Sequence, residues 1–341
     1  MKRIFSLLLL LLGVSAAAFS QTWQRDTLGG DFQCRYFDQG SDYSGPVRST
    51  LVRLLPKERA SVATLYIHGF NDYFFQADMA RRFVDHGYAF FAIDLRKYGR
   101  SLTKGQKRCQ VRNFDEYSAD LDSAFAAIRS EGYDHIVLMG HSTGGLVATY
   151  YLDSHPSTKV DALILNSPFL DWNLGKKEWL IGAVSALGAI FPNIGISSGS
   201  GTAYGESLNA DYHGEWQFNT DWKSITPTRV DLGWIRAVNQ AQKYVRKHPY
   251  DISAPILLMY SARSVDEESW SEKVDRADAV LDVKDIRKYG MQLGHDLTAI
   301  KVNGGRHDLV LSEPDVREPL YDYIFSWLQR TLRSEKISIR A

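Results

Sequence analysis

The chain has 341 residues, of which 40 are Lys or Arg and 40 are Asp or Glu, so its formal charge is zero. Hydrophobic residues make up 44% and charged residues 23%, a composition that excludes an intrinsically disordered chain and predicts a buried core. Balanced charge without long runs of one sign predicts no nucleic-acid partner. The length allows one large α/β domain or two smaller domains.

The first twenty residues have the pattern of a cleavable export signal. Lys2 and Arg3 precede an apolar run over 4–12, and small residues lead to Ser20 and Gln21. A membrane anchor is the alternative, but the apolar run is shorter than the ~20 residues that a spanning helix needs. We expect residues 1–20 to be a signal peptide cleaved near Ser20–Gln21, which would leave 21–341 in the periplasm or outside the cell.

Export affects the interpretation of the two cysteines, because an oxidising compartment permits disulfides. Cys34 lies in a predicted N-terminal strand, and Cys109 lies in a loop before the helix near Phe114. A disulfide between them would tie the early strand to the body of the protein. Two buried free thiols are the alternative, and the sequence does not choose between them.

Short apolar runs alternate with amphipathic segments along the chain, as in a largely parallel sheet covered by helices. We therefore predict an α/β fold with a mostly parallel sheet. Strands are predicted, in chain order, at 31–38, 47–55, 63–67, 89–95, 135–140, 162–166, 255–260 and 297–302. The clearest helices are predicted at 76–86, 114–130, 144–154 and 318–333.

The alternation is interrupted at about 171–250, where Gly, Ser and aromatic residues become frequent. This stretch lies between two predicted strands, so it is interpreted as a cap inserted over one end of the sheet. Its apolar portion 180–191 is predicted to be a buried or lid helix. The cap holds five of the eight Trp, which either pack it onto the body or line a substrate chamber: Trp172, Trp179, Trp216, Trp222 and Trp234.

Residues 140–144 match Gly-x-Ser-x-Gly, in which a sharp turn between strand and helix exposes a reactive serine. An apolar strand precedes the pattern and a helical segment follows it, as the turn requires. We predict Ser142 as a nucleophile. The general base is predicted to be His307, because it follows the last predicted strand and comes after the serine in the chain.

A serine nucleophile also needs donors for the oxyanion that its attack creates. One is expected to be the backbone NH of Thr143, which directly follows the nucleophile. The other is expected from the loop after strand 63–67, where Gly69 permits close approach of the backbone and Phe70 offers its NH. Metal ligands at characteristic spacing and nucleotide-binding motifs are absent from the sequence, so no metal and no cofactor are predicted.

These segments together resemble the serine aminopeptidase, lysophospholipase and monoacylglycerol lipase group of α/β-hydrolases. The resemblance covers about residues 30–333. Besides the Ser142 turn it is carried by His68-Gly69, by Asp94-Leu95-Arg96 with Gly99-Arg100-Ser101, by Asn166-Ser167-Pro168 and by Gly305 to Asp308.

The resemblance implies a triad acid just after strand 255–260, but the direct counterpart there is Ser264, which has no carboxylate. Further on, residues 277–282 resemble the family's acid motif, which points to Asp278 after an insertion. Asp282 and Asp266 stay open as alternatives. Asp308 is expected to support the His307 loop rather than the imidazole ring.

The resemblance implies a serine hydrolase that cleaves carboxylic esters, and the pattern of residues 1–20 adds that it is exported. The apolar, aromatic cap favours lipid-like esters of monoacylglycerol or lysophospholipid type, with peripheral contact with lipid left open. An aminopeptidase acting on short peptides is one alternative, and a hydrolase-like binding protein without activity is another. In the peptidase case a carboxylate of the cap would hold the substrate amine, and the candidates are Glu178, Glu206, Asp211 and Glu215.

Overall fold

The computed structural model describes residues 22–172, 179–197, 201–226 and 228–338. The predicted signal peptide and Glu178 lie outside these ranges. The strands of the described part are β1 Gln24–Arg25, β2 Gln33–Asp42, β3 Gly45–Leu54, β4 Val62–Ile67, β5 Ala89–Asp94, β6 His135–His141, β7 Ala162–Asn166, β8 Gly195–Ser197, β9 Arg229–Asp231, β10 Ile256–Ser261 and β11 Leu297–Val302.

Helices connect these strands and cover both faces of the main sheet. Their bounds are α1 Ala77–Asp85, α2 Asp115–Ser130, α3 Thr143–Ser154, α4 Trp179–Ile190, α5 Ala203–Leu208, α6 Leu232–Lys247, α7 Val283–Gly290 and α8 Pro314–Ser338. Short 3-10 turns occur at Gly99–Ser101, Val274–Arg276 and Leu309–Leu311.

Nine strands form one sheet in the order β1-β2-β3-β5-β4-β6-β7-β10-β11. The six strands from β5 to β11 in this order run parallel, whereas β1, β2 and β3 form antiparallel pairs at one edge. The predicted α/β fold with a mostly parallel sheet is therefore confirmed. Parallel strands are buried on both faces, which explains why β4, β5 and β7 read as continuous apolar runs.

All eight predicted strands occur, with differences at their ends. β2 runs on to Asp42, past an irregularity between Asp38 and Ser41, because its hairpin with β3 continues to the turn. The C-terminal helix begins at Pro314 rather than at Glu318, since proline is tolerated in the first turn of a helix. The short strands β1, β8 and β9 were not predicted, because two or three residues carry no detectable period.

The sheet separates two hydrophobic clusters, and side chains alternate between them along each strand. In β4, Leu65 and Ile67 pack into the first cluster while Tyr66 packs into the second. Buried residues of α2, α3 and α6 belong to the first cluster, and those of α1 and α8 belong to the second. The core therefore lies on both sides of the sheet.

Cys34 and Cys109 are both buried free thiols. Cys34 packs in the second cluster and Cys109 in the first, so the two side chains lie on opposite faces of the sheet. Of the two possibilities that the sequence leaves open, two buried free thiols describe this structure.

The residues between β7 and β10 contain α4, β8, α5, β9 and α6. Helix α4 packs against the start of α6 through Gly188, where an added Cβ would lie 2.3 Å from the carbonyl oxygen of Leu232. Helix α6 in turn packs on the body, with the rings of Trp234 and Phe70 4.5 Å apart. This insertion covers the carboxyl ends of the central strands.

Candidate active site

The turn after β6 holds Ser142 in a strained backbone conformation, with φ of 52° and ψ of −118°. The turn is tight because two glycines allow close approach of the backbone. A Cβ on Gly140 would lie 2.6 Å from the carbonyl oxygen of Gly144, and a Cβ on Gly144 would lie 2.3 Å from that of His68. Larger residues at 140 and 144 would displace the nucleophile or the loop after β4.

Three predicted residues from separate segments meet at the carboxyl ends of the parallel strands. The hydroxyl oxygen of Ser142 lies 2.9 Å from Nε2 of His307. Nδ1 of the same ring lies 2.8 Å from Oδ2 of Asp278. All three side chains are buried, so they form one hydrogen-bonded chain shielded from bulk water.

Asp278 reaches this position because the chain returns to the end of β10 after an excursion. It forms an isolated parallel bridge with Ser264, the residue that occupies the expected acid position. Its Oδ1 accepts hydrogen bonds from the NH groups of Val280 and Leu281, both at 2.8 Å, which leaves Oδ2 for His307.

The two alternative acids lie elsewhere. Asp282 caps the start of α7 by accepting from the NH of Lys284 at 2.9 Å. Asp266 lies on the wall of the neighbouring cavity. Only Asp278 is brought to the imidazole of His307 among the three candidates.

Two backbone NH groups near Ser142 have no protein acceptor in the described part of the chain. Thr143 is the first residue of α3, where the helix provides no acceptor for its NH. Phe70 lines the same cavity as Ser142, and in the described part of the chain its NH donates to no protein acceptor. A Cβ on Gly69 would lie 3.2 Å from Cβ of Ser142, so this loop passes in contact with the nucleophile.

Asn166, at the end of β7, connects the nucleophile to the base. Its carbonyl oxygen accepts from the NH of Ser142 at 3.0 Å. Its side chain donates to Oδ1 of Asp308 at 2.7 Å and accepts from the NH of Leu309 at 3.2 Å. In the sequence Asn166 stands out only as part of a motif, and this connecting role was not predicted. The available signal was a polar residue ending an otherwise apolar strand.

A second histidine, His141, lies beside the base, with ring centroids 4.8 Å apart. Burial lowers the pKa of His141, and the nearby carboxylate of Asp308 does not outweigh this effect. The imidazole of His141 is therefore neutral near pH 7. His141 therefore places no positive charge beside the imidazole of His307.

A cavity of about 400 Å³ opens next to Ser142 and His307. Its aromatic lining consists of Phe70, Tyr204 and Phe218, and none of the described tryptophans lines it. Of the two interpretations of the cap's tryptophans, lining of this cavity is therefore excluded and packing onto the body describes most of them. Trp172 and Trp234 pack against the first core cluster, Trp216 and Trp222 pack against the second, and Trp179 is exposed.

Acidic residues also line this cavity, but they are not the ones predicted. Asp266, Glu267 and Glu268 lie on its wall, and all three come from the excursion that precedes Asp278. Glu206 and Asp211 do not line the cavity, and Glu215 forms an ion pair with Arg317 instead. The predicted carboxylates lie in the cap, whereas these three lie between Ser264 and Asp278.

Comparison with protein families identifies the chain. The family model described as serine aminopeptidase, S33 matches residues 57–315, most of the sequence. The chain belongs to this family. It has the α/β-hydrolase fold and belongs to a family of serine-type hydrolases.

Curated relatives of this S33 hydrolase are distant. Phospholipase YtpA of Bacillus subtilis is 27% identical over 143 residues, which are 42% of this chain and 54% of the relative. Epoxide hydrolase 1 of Caenorhabditis elegans is 24% identical over 34% of this chain and 30% of the relative. The chain thus spans about half or less of these relatives.

Solved structures share the fold of the S33 hydrolase over most of its length. A monoglyceride lipase of Saccharomyces cerevisiae has a TM-score of 0.65 at 16% identity and covers 91% of this chain and 98% of its own. A monoacylglycerol lipase of Paleococcus ferrophilus has a TM-score of 0.63 at 20% identity, with 82% of this chain and 99% of its own covered. At these identities the likeness concerns the fold.

The described residues of this hydrolase contain neither a membrane-spanning helix nor a metal-binding group. No helix in these ranges is long and apolar enough to span a bilayer. In the same ranges, no three His, Cys, Asp or Glu residues form a group that could hold a metal ion.

Proposed function

We propose that this hydrolase cleaves carboxylic esters through an acyl-enzyme, with Ser142 as nucleophile, His307 as general base and Asp278 as the orienting acid. The observation that carries the proposal is the continuous hydrogen-bonded chain from the Ser142 hydroxyl through His307 to Asp278 beside a cavity.

In the proposed reaction, Nε2 of His307 takes the hydroxyl proton as Oγ of Ser142 bonds to the ester carbonyl carbon. The carbonyl oxygen becomes an oxyanion held by the NH groups of Phe70 and Thr143. Collapse of the intermediate breaks the ester bond, and the leaving alcohol receives the proton from His307. A water molecule activated by the same imidazole then hydrolyses the acyl-enzyme, which releases the acid and regenerates Ser142.

The proposed substrates are lipid-like esters of the monoacylglycerol or lysophospholipid type. The aromatic rings of Phe70, Tyr204 and Phe218 beside the nucleophile suit an acyl chain. The outer surface of the cap suits a lipid phase. Trp179 and Ile190 of α4 are 73% and 70% exposed, and only Ile181, Ser185 and Gly188 of this helix are buried.

Basic side chains border this apolar surface and suit anionic lipid headgroups. Lys107 and Arg112 bond to Asn193 in the turn after α4, and Arg229 bonds to Gly195. Ile190→Ser should reduce co-sedimentation of the protein with phosphatidylglycerol vesicles. Met291→Ser is the control and should have no effect, because Met291 is an exposed apolar residue outside the cap. Equal sedimentation of all three proteins would contradict lipid contact through the cap.

A second candidate function is release of N-terminal residues from short peptides. It is favoured by the carboxylates of Asp266 and Glu268, which line the cavity and could pair with a substrate ammonium. Their neighbour Glu267 is already paired with Lys273 at 2.9 Å. An esterase has no need for such a pairing, so the two functions differ in how much they depend on these carboxylates.

A substrate comparison tests the choice. Initial rates on p-nitrophenyl esters of increasing acyl length would be compared with those on aminoacyl p-nitroanilides, with Ser142→Ala as the blank. If the protein is an esterase, it should hydrolyse the esters faster than the anilides. The double variant Asp266→Asn/Glu268→Gln should then hydrolyse the esters at the wild-type rate. Preference for anilides with a free amine, lost in the double variant, would establish the peptidase. Rates equal to the blank on both series, from a protein that still binds a ligand, would favour the inactive binding protein.

Export is also part of the proposal, supported by the basic, apolar and small-residue pattern of residues 1–20. Cleavage would leave Gln21 as the first residue. The mass of the protein recovered from the periplasm or medium should therefore correspond to 21–341. Recovery of a chain beginning at Met1 from the cytoplasm would overturn export.

A further inference from the structure

The loop that carries the oxyanion donor Phe70 is bonded to the cap at each of its next three residues. The side chain of Asn71 donates to the carbonyl oxygen of Ser224 at 2.8 Å and accepts from the NH of the same residue at 3.2 Å. The hydroxyl of Tyr73 accepts from the NH of Asn219 at 2.8 Å.

Between these contacts lies a buried ion pair. Nζ of Lys223 is 3.1 Å from Oδ1 of Asp72, and the two side chains are 8% and 2% exposed. Burial alone would raise the pKa of Asp72, but Lys223 with its positive charge outweighs this and lowers it. The pair is therefore charged, and breaking it would leave an unpaired charge inside the protein.

The backbone at Asn71 has a positive φ. Its value is 48°, in the left-handed region that, apart from Gly, Asn and Asp, few residues adopt. On the other side of Phe70, Gly69 is packed against His141 and Ser142. Phe70 is thus held between the nucleophile turn and the segment of the cap that bonds to Asn71, Asp72 and Tyr73.

We propose that the cap segment Asn219 to Ser224 positions the oxyanion hole, with Asn71 and Lys223 as its positioning residues. The inference rests on the proposed function of Phe70 as an oxyanion donor. The cap then does more than enclose a substrate, because it fixes the direction of an NH group that acts only when the tetrahedral intermediate forms. Loss of these contacts should reduce kcat and leave KM nearly unchanged.

The first test is Asn71→Gly. Glycine adopts a φ of 48° without strain, so this variant removes the two side-chain bonds and not the backbone conformation. Tyr250→Gly is the matched control, because Tyr250 also has a positive φ, of 68°, but is an exposed residue that does not line the cavity.

Three quantities would be measured: kcat and KM on p-nitrophenyl butyrate, the rate of labelling by a fluorophosphonate probe, and the inhibition constant of an alkyl boronic acid that mimics the tetrahedral intermediate. We expect Asn71→Gly to lower kcat and the labelling rate by roughly 10- to 100-fold and to weaken boronate inhibition similarly, since losing a whole donor costs about 10²–10³. Tyr250→Gly should match wild type.

A second variant removes the ion pair without leaving a buried charge. The double variant Asp72→Asn/Lys223→Met should show the same loss of kcat and boronate affinity. The single variant Lys223→Arg keeps the positive charge and should retain most of the wild-type kcat and boronate affinity. This series decides the matter if Asn71→Gly does not fold.

The outcomes separate the inference from the function on which it rests. The positioning role would be overturned if both variants, Asn71→Gly and Asp72→Asn/Lys223→Met, fold and keep the wild-type kcat, labelling rate and boronate affinity. That result would leave the proposed function intact. A loss confined to KM would also overturn the positioning role, because that result would indicate ground-state binding. A folded wild-type protein that neither hydrolyses esters nor takes the probe would contradict the proposed function itself.

Discussion

Asp278 is held in place by backbone donors as well as by its partner ring. Two NH groups fix one carboxylate oxygen, so the other is presented to Nδ1 of His307 in a defined direction. A carboxylate in this position keeps the imidazole in the tautomer whose Nε2 can accept a proton from serine. Its contribution is therefore both orientation and stabilisation of the charged imidazole.

Asp278→Asn is expected to preserve the fold and to lower kcat on p-nitrophenyl butyrate by about 10⁴-fold, because an amide favours the wrong tautomer. Asp282→Asn is the matched control, since Asn caps a helix about as well as Asp and this residue serves only α7. Steady-state kinetics with melting temperatures would check both. Equal activity of wild type and folded Asp278→Asn would remove Asp278 from the triad.

The two cysteines should be unreactive in the folded protein. Burial raises the pKa of both thiols, that of Cys109 to about 11, so the reactive thiolate is scarce at neutral pH. We expect no change in intact mass on reduction, slow labelling by iodoacetamide in buffer, and two labels in denaturant. A mass increase of about 2 Da on reduction would indicate a disulfide after all.

The sequence was informative at this scale wherever a role depends on nearby residues. Ser142 and His307 were predicted because a turn motif and chain order mark them. Asp278 was one of three candidates, since the excursion after Ser264 hides which carboxylate returns to the sheet. Lys223 was not found at all, because its partner Asp72 lies 151 residues earlier and no local pattern joins them.

The end of β7 acts as a connector between two other elements. Asn166 bonds through its backbone to the turn after β6 and through its side chain to the loop after β11. Nucleophile and base belong to segments far apart in sequence, so their separation depends on such a connection. A misplacement of about 1 Å at a reacting group can lower a rate by about 10².

Asn166→Ala should therefore lower kcat by roughly 10- to 100-fold while leaving KM within about twofold. Asn113→Ala, in an exposed loop, is the control and should match wild type. Kinetics on p-nitrophenyl butyrate and thermal unfolding would be compared for the three proteins. A stable Asn166→Ala protein with wild-type kcat would show that the two segments need no such connector.

Elements with a clear period were predictable and short ones were not. The buried parallel strands were found from apolar runs, and the amphipathic helices were found from three- and four-residue spacing. Strand β1 has two residues, and β8 and β9 have three each, so their pairing is set by neighbours rather than by their own pattern. Tertiary contacts, which the sequence does not display, define these elements.

At the scale of the whole molecule, a buried ion pair ties the first strands to the body. Nε and Nη2 of Arg100 bond to the carboxylate of Asp26 at 2.6 and 2.8 Å, while Nη1 bonds to Asp94 at 2.8 Å. Burial raises the pKa of Asp26, but Arg100 outweighs this and holds it below the ordinary value. A carboxyl with a lowered pKa stabilises the fold above pH 4, and this contribution is lost as the pH falls further.

Asp26→Asn should therefore reduce the free energy of unfolding at pH 7 by roughly 2 kcal/mol, as expected for loss of hydrogen bonds to a charged group. The deficit should shrink as the pH falls below 4, because the carboxyl is protonated first in the unfolded chain and, at still lower pH, in the folded protein. Urea unfolding at several pH values would test this expectation, with Asp31→Asn at an exposed site as control. A deficit that stays constant down to pH 3 would show that the charge of Asp26 is not responsible.

The composition of the cap was a poor guide to its surface. Five tryptophans allowed an aromatic chamber, but most of them pack the cap onto the body. Three of the acidic residues on the cavity wall, Asp266, Glu267 and Glu268, come from outside the cap. The frequent Gly, Ser and aromatic residues at about 171–250 predicted that an insertion exists. Which side chains face the cavity depends on how α4, α5 and α6 lie on the sheet, and a single sequence does not encode that in a readable pattern.

The most direct test of the whole account is the site of covalent labelling. Purified protein would be treated with a fluorophosphonate probe, digested, and mapped by mass spectrometry, with Ser142→Ala in parallel. The account predicts one modified residue, Ser142, with no labelling of the variant and loss of ester hydrolysis in step with labelling. A folded protein that resists the probe, or that is labelled at another serine while Ser142→Ala retains activity, would contradict it.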